Sequence, residues 1–205
     1  MGSEMCIRDR PLISENVIGK KSRFVNSEPF NLHSERLLLR EFTVDDAPQL
    51  FALYEDADVM RYTGEEPFTS VAAVEQFLSE YPYYERDGFG RWAVIDRRSD
   101  EFLGFCGLRR DNPTPEVDLG FRFFRRFWFQ GYATEAARAA LSTGFGAFGL
   151  TEIIGRTMRE NLASTHVLKK LGMTFREVVE EDGLFWLIYS MDQETFARQP
   201  APAVP

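Results

Sequence analysis

The stretch from residue 117 to residue 148 constrains this chain more than any other. It opens with a β-prone, aromatic run over 117–124. It then passes through a short turn holding Gly131 and enters a helix expected over 134–148, with Ala136, Ala137, Ala140, Leu141, Phe145 and Phe148 on one face. A strand that turns directly into a helix leaves the first backbone N–H groups of that helix without intrahelical partners. Those donors, together with the positive end of the helix dipole, suit an anion such as a diphosphate. Gly131 lets an anion approach because no Cβ intrudes, although a lone glycine can equally serve only to make the turn. No Gly-Lys-Ser/Thr follows it and no three spaced glycines surround it, which excludes a Walker loop and a dinucleotide fingerprint.

The flanking pattern alternates strands and helices. A first strand is expected over 32–42. A helix capped by Thr43 follows, with Asp45 and Asp46 in its first turn. A second helix is capped by Thr69 or Ser70 and closed by Gly88 and Gly90. Three antiparallel strands are expected over 91–96, 102–109 and 117–124, the last two joined by a turn over 111–115. After the helix at 134–148 come a strand over 153–158, a short helix over 162–171 and a hairpin of 173–179 with 184–191. The resulting order, β-αα-βββ-α-β-α-ββ, is a mixed α/β (α+β) domain over 32–197. Residues 1–31 are expected to form a flexible leader that need not be native to the domain, and 198–205 a disordered tail.

Composition narrows the function classes. With 44% hydrophobic and 27% charged residues the chain can bury a core, and no apolar run reaches the ~18 residues a membrane helix needs. A net charge of −8 disfavours nucleic acid and anionic membranes as partners and favours cationic substrates. Cys6 and Cys106 have no metal-ligand spacing, so no metal is expected. The expected location is cytoplasmic, as a monomer or homodimer.

A second motif follows the turn at the right distance. Asn161-Leu162-Ala163-Ser164, then Leu171-Gly172-Met173, frames the short helix, while Phe127-Trp128-Phe129-Gln130-Gly131-Tyr132-Ala133-Thr134-Glu135-Ala136 frames the turn. With these two motifs and the opening Ser34-Glu35-Arg36-Leu37-Leu38-Leu39-Arg40, the chain closely resembles the Gcn5-related N-acetyltransferase (GNAT) superfamily over about residues 32–192. The nearest branch is similar to the Rim-type ribosomal-protein N-terminal acetyltransferases.

That resemblance implies the GNAT fold, its mixed sheet split between the fourth and fifth strands of the order above, with acetyl-CoA as cosubstrate. It implies backbone groups of Phe121 and Phe123 on the pantetheine arm, with Asn161 reaching that arm from the other side. Arg126, Phe129, Gln130, Gly131, Tyr132, Ala133 and Thr134 would lie around the diphosphate. The implied reaction is direct attack of a neutral primary amine on the thioester, the acceptor being a protein or peptide N-terminus. A cationic small-molecule amine, such as a polyamine or aminoglycoside, is the alternative, and a catalytically weak acyl-CoA-binding module is a third reading. Asp118 and Glu116 are candidate bases, and Ser164 is a candidate proton donor to the thiolate and a cofactor contact. Each also has a plainer use: the two acids on a solvated strand face, Ser164 and Asn161 in the first turn of a helix.

Three positions depart from the family pattern. Phe129 stands where the first glycine is usual, so the loop is expected to take a conformation that a Cβ tolerates. Gln130 replaces a basic residue, and Leu168 replaces a tyrosine that many superfamily members use as proton donor.

Overall fold

The computed structural model describes residues 30–110 and 115–199. Most of the expected leader and tail, and all but the last residue of the turn at 111–115, lie outside the described residues.

Among the described residues eight strands form one mixed sheet: β1 Asn31–His33, β2 Leu37–Arg40, β3 Arg91–Asp96, β4 Phe102–Arg110, β5 Val117–Phe123, β6 Glu152–Met158, β7 Thr174–Glu181 and β8 Leu184–Asp192. Their spatial order is β1-β2-β3-β4-β5-β6-β8-β7, and every neighbouring pair is antiparallel except β5 and β6. The helices are α1 Ala47–Glu55, α2 Ala57–Met60, α3 Val71–Ser79, α4 Tyr83–Asp87, α5 Tyr132–Gly146, α6 Leu162–Lys170 and α7 Gln193–Ala197.

Side-chain alternation along the central strands builds a core on each face of the sheet. Trp92, Val94, Cys106 and Leu108 face α5, where Ala136, Ala137, Ala140 and Leu141 are fully buried. Phe105 turns to the other face and meets Leu50, Leu53, Val74 and Leu78 of α1 and α3. The small residues of α5 set its closeness to the sheet. A Cβ on Gly144 would come within 2.7 Å of Leu108 Cδ1 and 2.8 Å of Ile153 Cδ1.

The start of the fold departs from the single strand expected over 32–42: the chain reverses after three residues and pairs β1 with β2. Ser34 makes the reversal, its amide donating to Leu37 O at 2.9 Å while Leu37 N donates to Ser34 Oγ at 3.2 Å. The packed unit also reaches past both expected boundaries. Phe30 stacks on Trp92 at 4.7 Å between ring centroids, and Gln199 Nε2 donates to Leu171 O at 2.9 Å. The second helix, α3, ends at Ser79, and Gly88 closes the separate turn α4 with φ +79°. Ser70 caps α3 by accepting from the Ala73 amide at 3.1 Å.

Candidate active site

The two central strands part. β5 and β6 share a single register pair, Asp118 with Ile154, whereas β6 stays paired with β8 through Met158 and Trp186. From Gly120 onward β5 therefore has a free edge. The Phe124 amide donates to Leu103 O at 3.1 Å on the β4 side. Alternation along an antiparallel ladder then turns the N–H and C=O of Phe123 and Phe121 to the opposite edge, into the gap. The Phe123 carbonyl already accepts from the Trp128 indole at 2.8 Å, which leaves its N–H for another partner. A cleft of about 1590 Å3 opens in this gap, lined by Phe121, Phe123, Phe129, Gly131, Tyr132, Ala133, Thr134, Asn161 and Ser164, among others.

At one end of the cleft lies the start of α5. Gly131, with φ +82°, precedes its first residue and no side chain caps it. Among the described residues the amides of Phe129 through Thr134 have no partner within the protein. That is a run of donors suited to a diphosphate. Phe129 does not relax into a conformation that suits its Cβ. It holds φ +60°, the left-handed geometry of a glycine, at a strain of about 1–2 kcal/mol, and its side chain is 93% exposed. Gln130 points away from the cleft and donates through Nε2 to Arg126 O at 2.6 Å.

Arg36 supports this loop from behind, which the sequence reading missed. Its guanidinium lies 4.3 Å from the Tyr132 ring centre, donates to Gln130 O at 3.1 Å and donates through Nε to Glu135 Oε2 at 2.6 Å. Glu135 also accepts from the Arg36 amide at 2.8 Å and from Ser34 Oγ at 2.7 Å, tying the β1–β2 turn to the first turn of α5. The Ser-Glu-Arg run and the Thr-Glu pair were both visible in the sequence; nothing in it paired them across 99 positions. Burial pushes the Glu135 carboxyl up, but the Arg36 amide, the Ser34 hydroxyl and the Arg36 guanidinium outweigh it and hold the group below its ordinary value of 4.5. The stability this contact contributes is present above that value and is lost as pH falls through the folded pKa. Glu135→Gln should therefore cost about 2 kcal/mol at pH 7. The cost should shrink in urea titrations run below pH 4.5; a cost that did not change with pH would show that hydrogen bonding without charge suffices.

The candidate acids and donors separate. Asp118 lines the cleft, and its Oδ2 accepts from the Arg91 guanidinium, which also donates to Asp118 O at 2.7 Å and Gly107 O at 2.6 Å. Its Oδ1 is buried without a partner among the described residues. Glu116 is not part of the cleft lining, because Arg176 of β7 draws it away at 2.6 Å. Arg126 is also outside it, paired with Glu101 at 3.0 Å and exposed. Arg125 pairs with Asp56 and Asp58.

Across the gap, Asn161 Oδ1 accepts from the Ser164 amide at 3.1 Å. Both residues line the cleft. Leu168 is 1% exposed, a core residue with no proton to give. Tyr81 lines the cleft too, but burial pushes its phenol up to about 12, a poor acid at neutral pH.

Beyond Asp118 the cleft runs under the loop 61–70. Gly64, with φ +67°, lies against Trp186 of β8: a Cβ there would meet the indole at 3.1 Å. Glu65 in the same loop pairs at 2.8 Å with Arg122 of β5, whose guanidinium lies 4.3 Å from the Tyr54 ring centre. Burial opposes charge on Arg122, but Tyr54 and Glu65 outweigh it and raise its pKa. Glu66 and Asp182 also line the cleft, together with Arg61 and Arg156.

Comparison with known proteins places these features. The acetyltransferase (GNAT) domain family matches residues 36–174. N-acetyltransferase p20 of Bacillus licheniformis, itself uncharacterized, is 29% identical over 142 residues, covering 68% of this chain and 80% of its own. The FsC-acetyl coenzyme A-N(2)-transacetylase of Aspergillus fumigatus is 33% identical over 213 residues, covering 88% of this chain and 83% of its own. Among solved structures, an acetyltransferase (GNAT family) from Bacillus anthracis superposes with a TM-score of 0.70 at 25% identity, covering 80% of this chain and 99% of that one.

Proposed function

Since the chain belongs to the acetyltransferase (GNAT) family, an acyl-CoA-dependent N-acetyltransferase class, we propose that it acetylates the N-terminal amine of a protein or peptide by direct transfer. The observation that supports acetyl-CoA as the donor is the meeting, in one cleft, of a parted sheet edge and a run of unpartnered amides; the N-terminal acceptor rests on the Rim-type resemblance. The residues fit acetyl-CoA in both parts. Amides of Phe129–Thr134 would take the diphosphate, and the free edge at Phe121 and Phe123, with Asn161 opposite, would take the pantetheine amides. Bound there, acetyl-CoA supplies an activated acetyl carbonyl.

The amine must lose a proton before it attacks. For an α-amino group with a pKa near 8 that costs about 1 kcal/mol at pH 7, against about 4.6 for a lysine side chain near 10.4. The lower cost suits the modest base present. Asp118 is the base in this reading: its carboxylate lines the cleft and would take the proton through a water, while Arg91 fixes it through Oδ2. In this reading Ser164 Oγ would relay a proton from water to the leaving sulfur. Asp118→Asn, which keeps the shape, should lower kcat at least about tenfold and leave CoA affinity within about twofold. An unchanged kcat would hand the proton to bulk water.

The Rim-type assignment rests on the Ser34–Arg40 opening and the missing tyrosine at Leu168. A small cationic amine is the second reading. The carboxylates of Glu66 and Asp182 in the cleft lining favour it. Free-thiol release measured against a panel of Ala- and Ser-starting peptides, lysine peptides, polyamines and aminoglycosides separates the two. Release with the peptides supports the first reading and release with polyamines alone the second. CoA binding with no release under any amine would leave a binding module.

A further inference from the structure

Phe129 combines two features that local folding does not require. It is an aromatic side chain held at φ +60°, a backbone region that a bulky residue rarely enters, and it stands 93% exposed. Among the described residues nothing rewards either feature. No ring pairs with it, and no cation stacks on it among the described residues. Its neighbours are occupied elsewhere: Phe127 meets Tyr132 edge-on at 6.1 Å, and Trp128 donates to Phe123 O. Backbone strain of this kind concentrates where a ligand is gripped. The residue also lines the cleft, at the open end of the run of unpartnered amides.

We propose that Phe129 is a stacking platform for the adenine of CoA, so that the protein reads the nucleotide as well as the pantetheine arm. The inference rests on the CoA reading above. In CoA the diphosphate links the pantetheine to an adenosine whose base is flat and π-faced. A diphosphate on the Phe129–Thr134 amides leaves the adenosine beside the loop, within reach of a side chain that starts from it. A glycine would give the same backbone path without strain but would offer the base no surface. Stacking a base on an aromatic ring is strong enough to offset the backbone strain. The consequence is selectivity. Carriers that share the pantetheine arm and lack adenosine, such as 4′-phosphopantetheine, would bind without this contact.

The test is calorimetry of wild type, Phe129→Gly and Phe129→Tyr against CoA and against 4′-phosphopantetheine. Phe129→Gly should cut the preference for CoA over 4′-phosphopantetheine about tenfold or more, while Phe129→Tyr, which keeps a ring face, should hold that preference within about twofold of wild type. Melting temperatures report folding separately, and Phe129→Gly should melt no lower than wild type because the strain is removed. Equal losses for both ligands would mean that Phe129 only shapes the amide loop, and the proposal fails. A preference for CoA that is unchanged or raised in Phe129→Gly also overturns it. Wild type that binds neither ligand would remove the CoA reading itself, a result distinct from either.

Discussion

Thr134→Asp should bring CoA binding down at least about a hundredfold without lowering the melting temperature of the free protein. Thr134 is the third residue of α5 and lines the cleft. A carboxylate in the first turn of a helix faces the positive end of the dipole and stabilises it by about 0.3–1 kcal/mol. The same carboxylate would stand against the diphosphate, where like charges in close contact cost several kcal/mol, and each 1.4 kcal/mol is tenfold in Kd. Stability and affinity should thus move in opposite directions, which no general loosening of the loop can imitate. Calorimetry and a thermal melt on one preparation decide it. Binding within about tenfold of wild type would mean that the diphosphate lies elsewhere. A glutamate at Gly131 tests the site less well, because a Cβ there points toward Arg36 Nη2 at 3.4 Å, which would draw the charge away.

Arg91→Met should be the most destabilising single change near the site. Arg91 is 7% exposed and holds two backbone carbonyls and the Asp118 carboxylate. Its guanidinium lies against Gly120, where a Cβ would come within 2.4 Å of Cζ. Removing one partner of a largely buried ion pair leaves the other charge uncompensated, at a cost of about 3–5 kcal/mol. At roughly 2–4 °C per kcal/mol for a chain of this length, the melting temperature should fall by about 6–20 °C. Adding Asp118→Leu should recover much of the loss, since the orphaned carboxylate is then gone. The recovered double variant should still be inactive if Asp118 is the base. A loss below about 1 kcal/mol for the single variant would place the pair in the range of solvent-screened surface pairs.

Much of the fold was legible because local patterns and tertiary structure agree in β3 to β6 and α5. β3 spans the expected residues, and the bounds of β4, β5, β6 and α5 differ from expectation by two residues or fewer. Alternating apolar side chains can only be satisfied by a sheet with two covered faces, and the small face of α5 can only be satisfied by close packing on it. The β1–β2 reversal was hidden. Leu37 and Leu39 suit the end of one long strand as well as a short one, and the turn closes on a carboxylate from α5.

What the sequence determined by itself was the strand–turn–helix with its glycine, the Asn161 cap and the family these motifs mark. Such features are short-range: a cap, a turn and a helix start are set by residues within about four positions of one another. Which charged side chains share the cleft was decided by tertiary structure alone. Glu116 and Arg126 were close to the motif in sequence and are drawn out of the site by Arg176 and Glu101. Arg36 and Arg91 were remote in sequence and are brought to it. Long charged side chains go to whichever partner the sheet order brings within reach, and strand order is a property of the closed fold, set by packing between segments far apart in the chain.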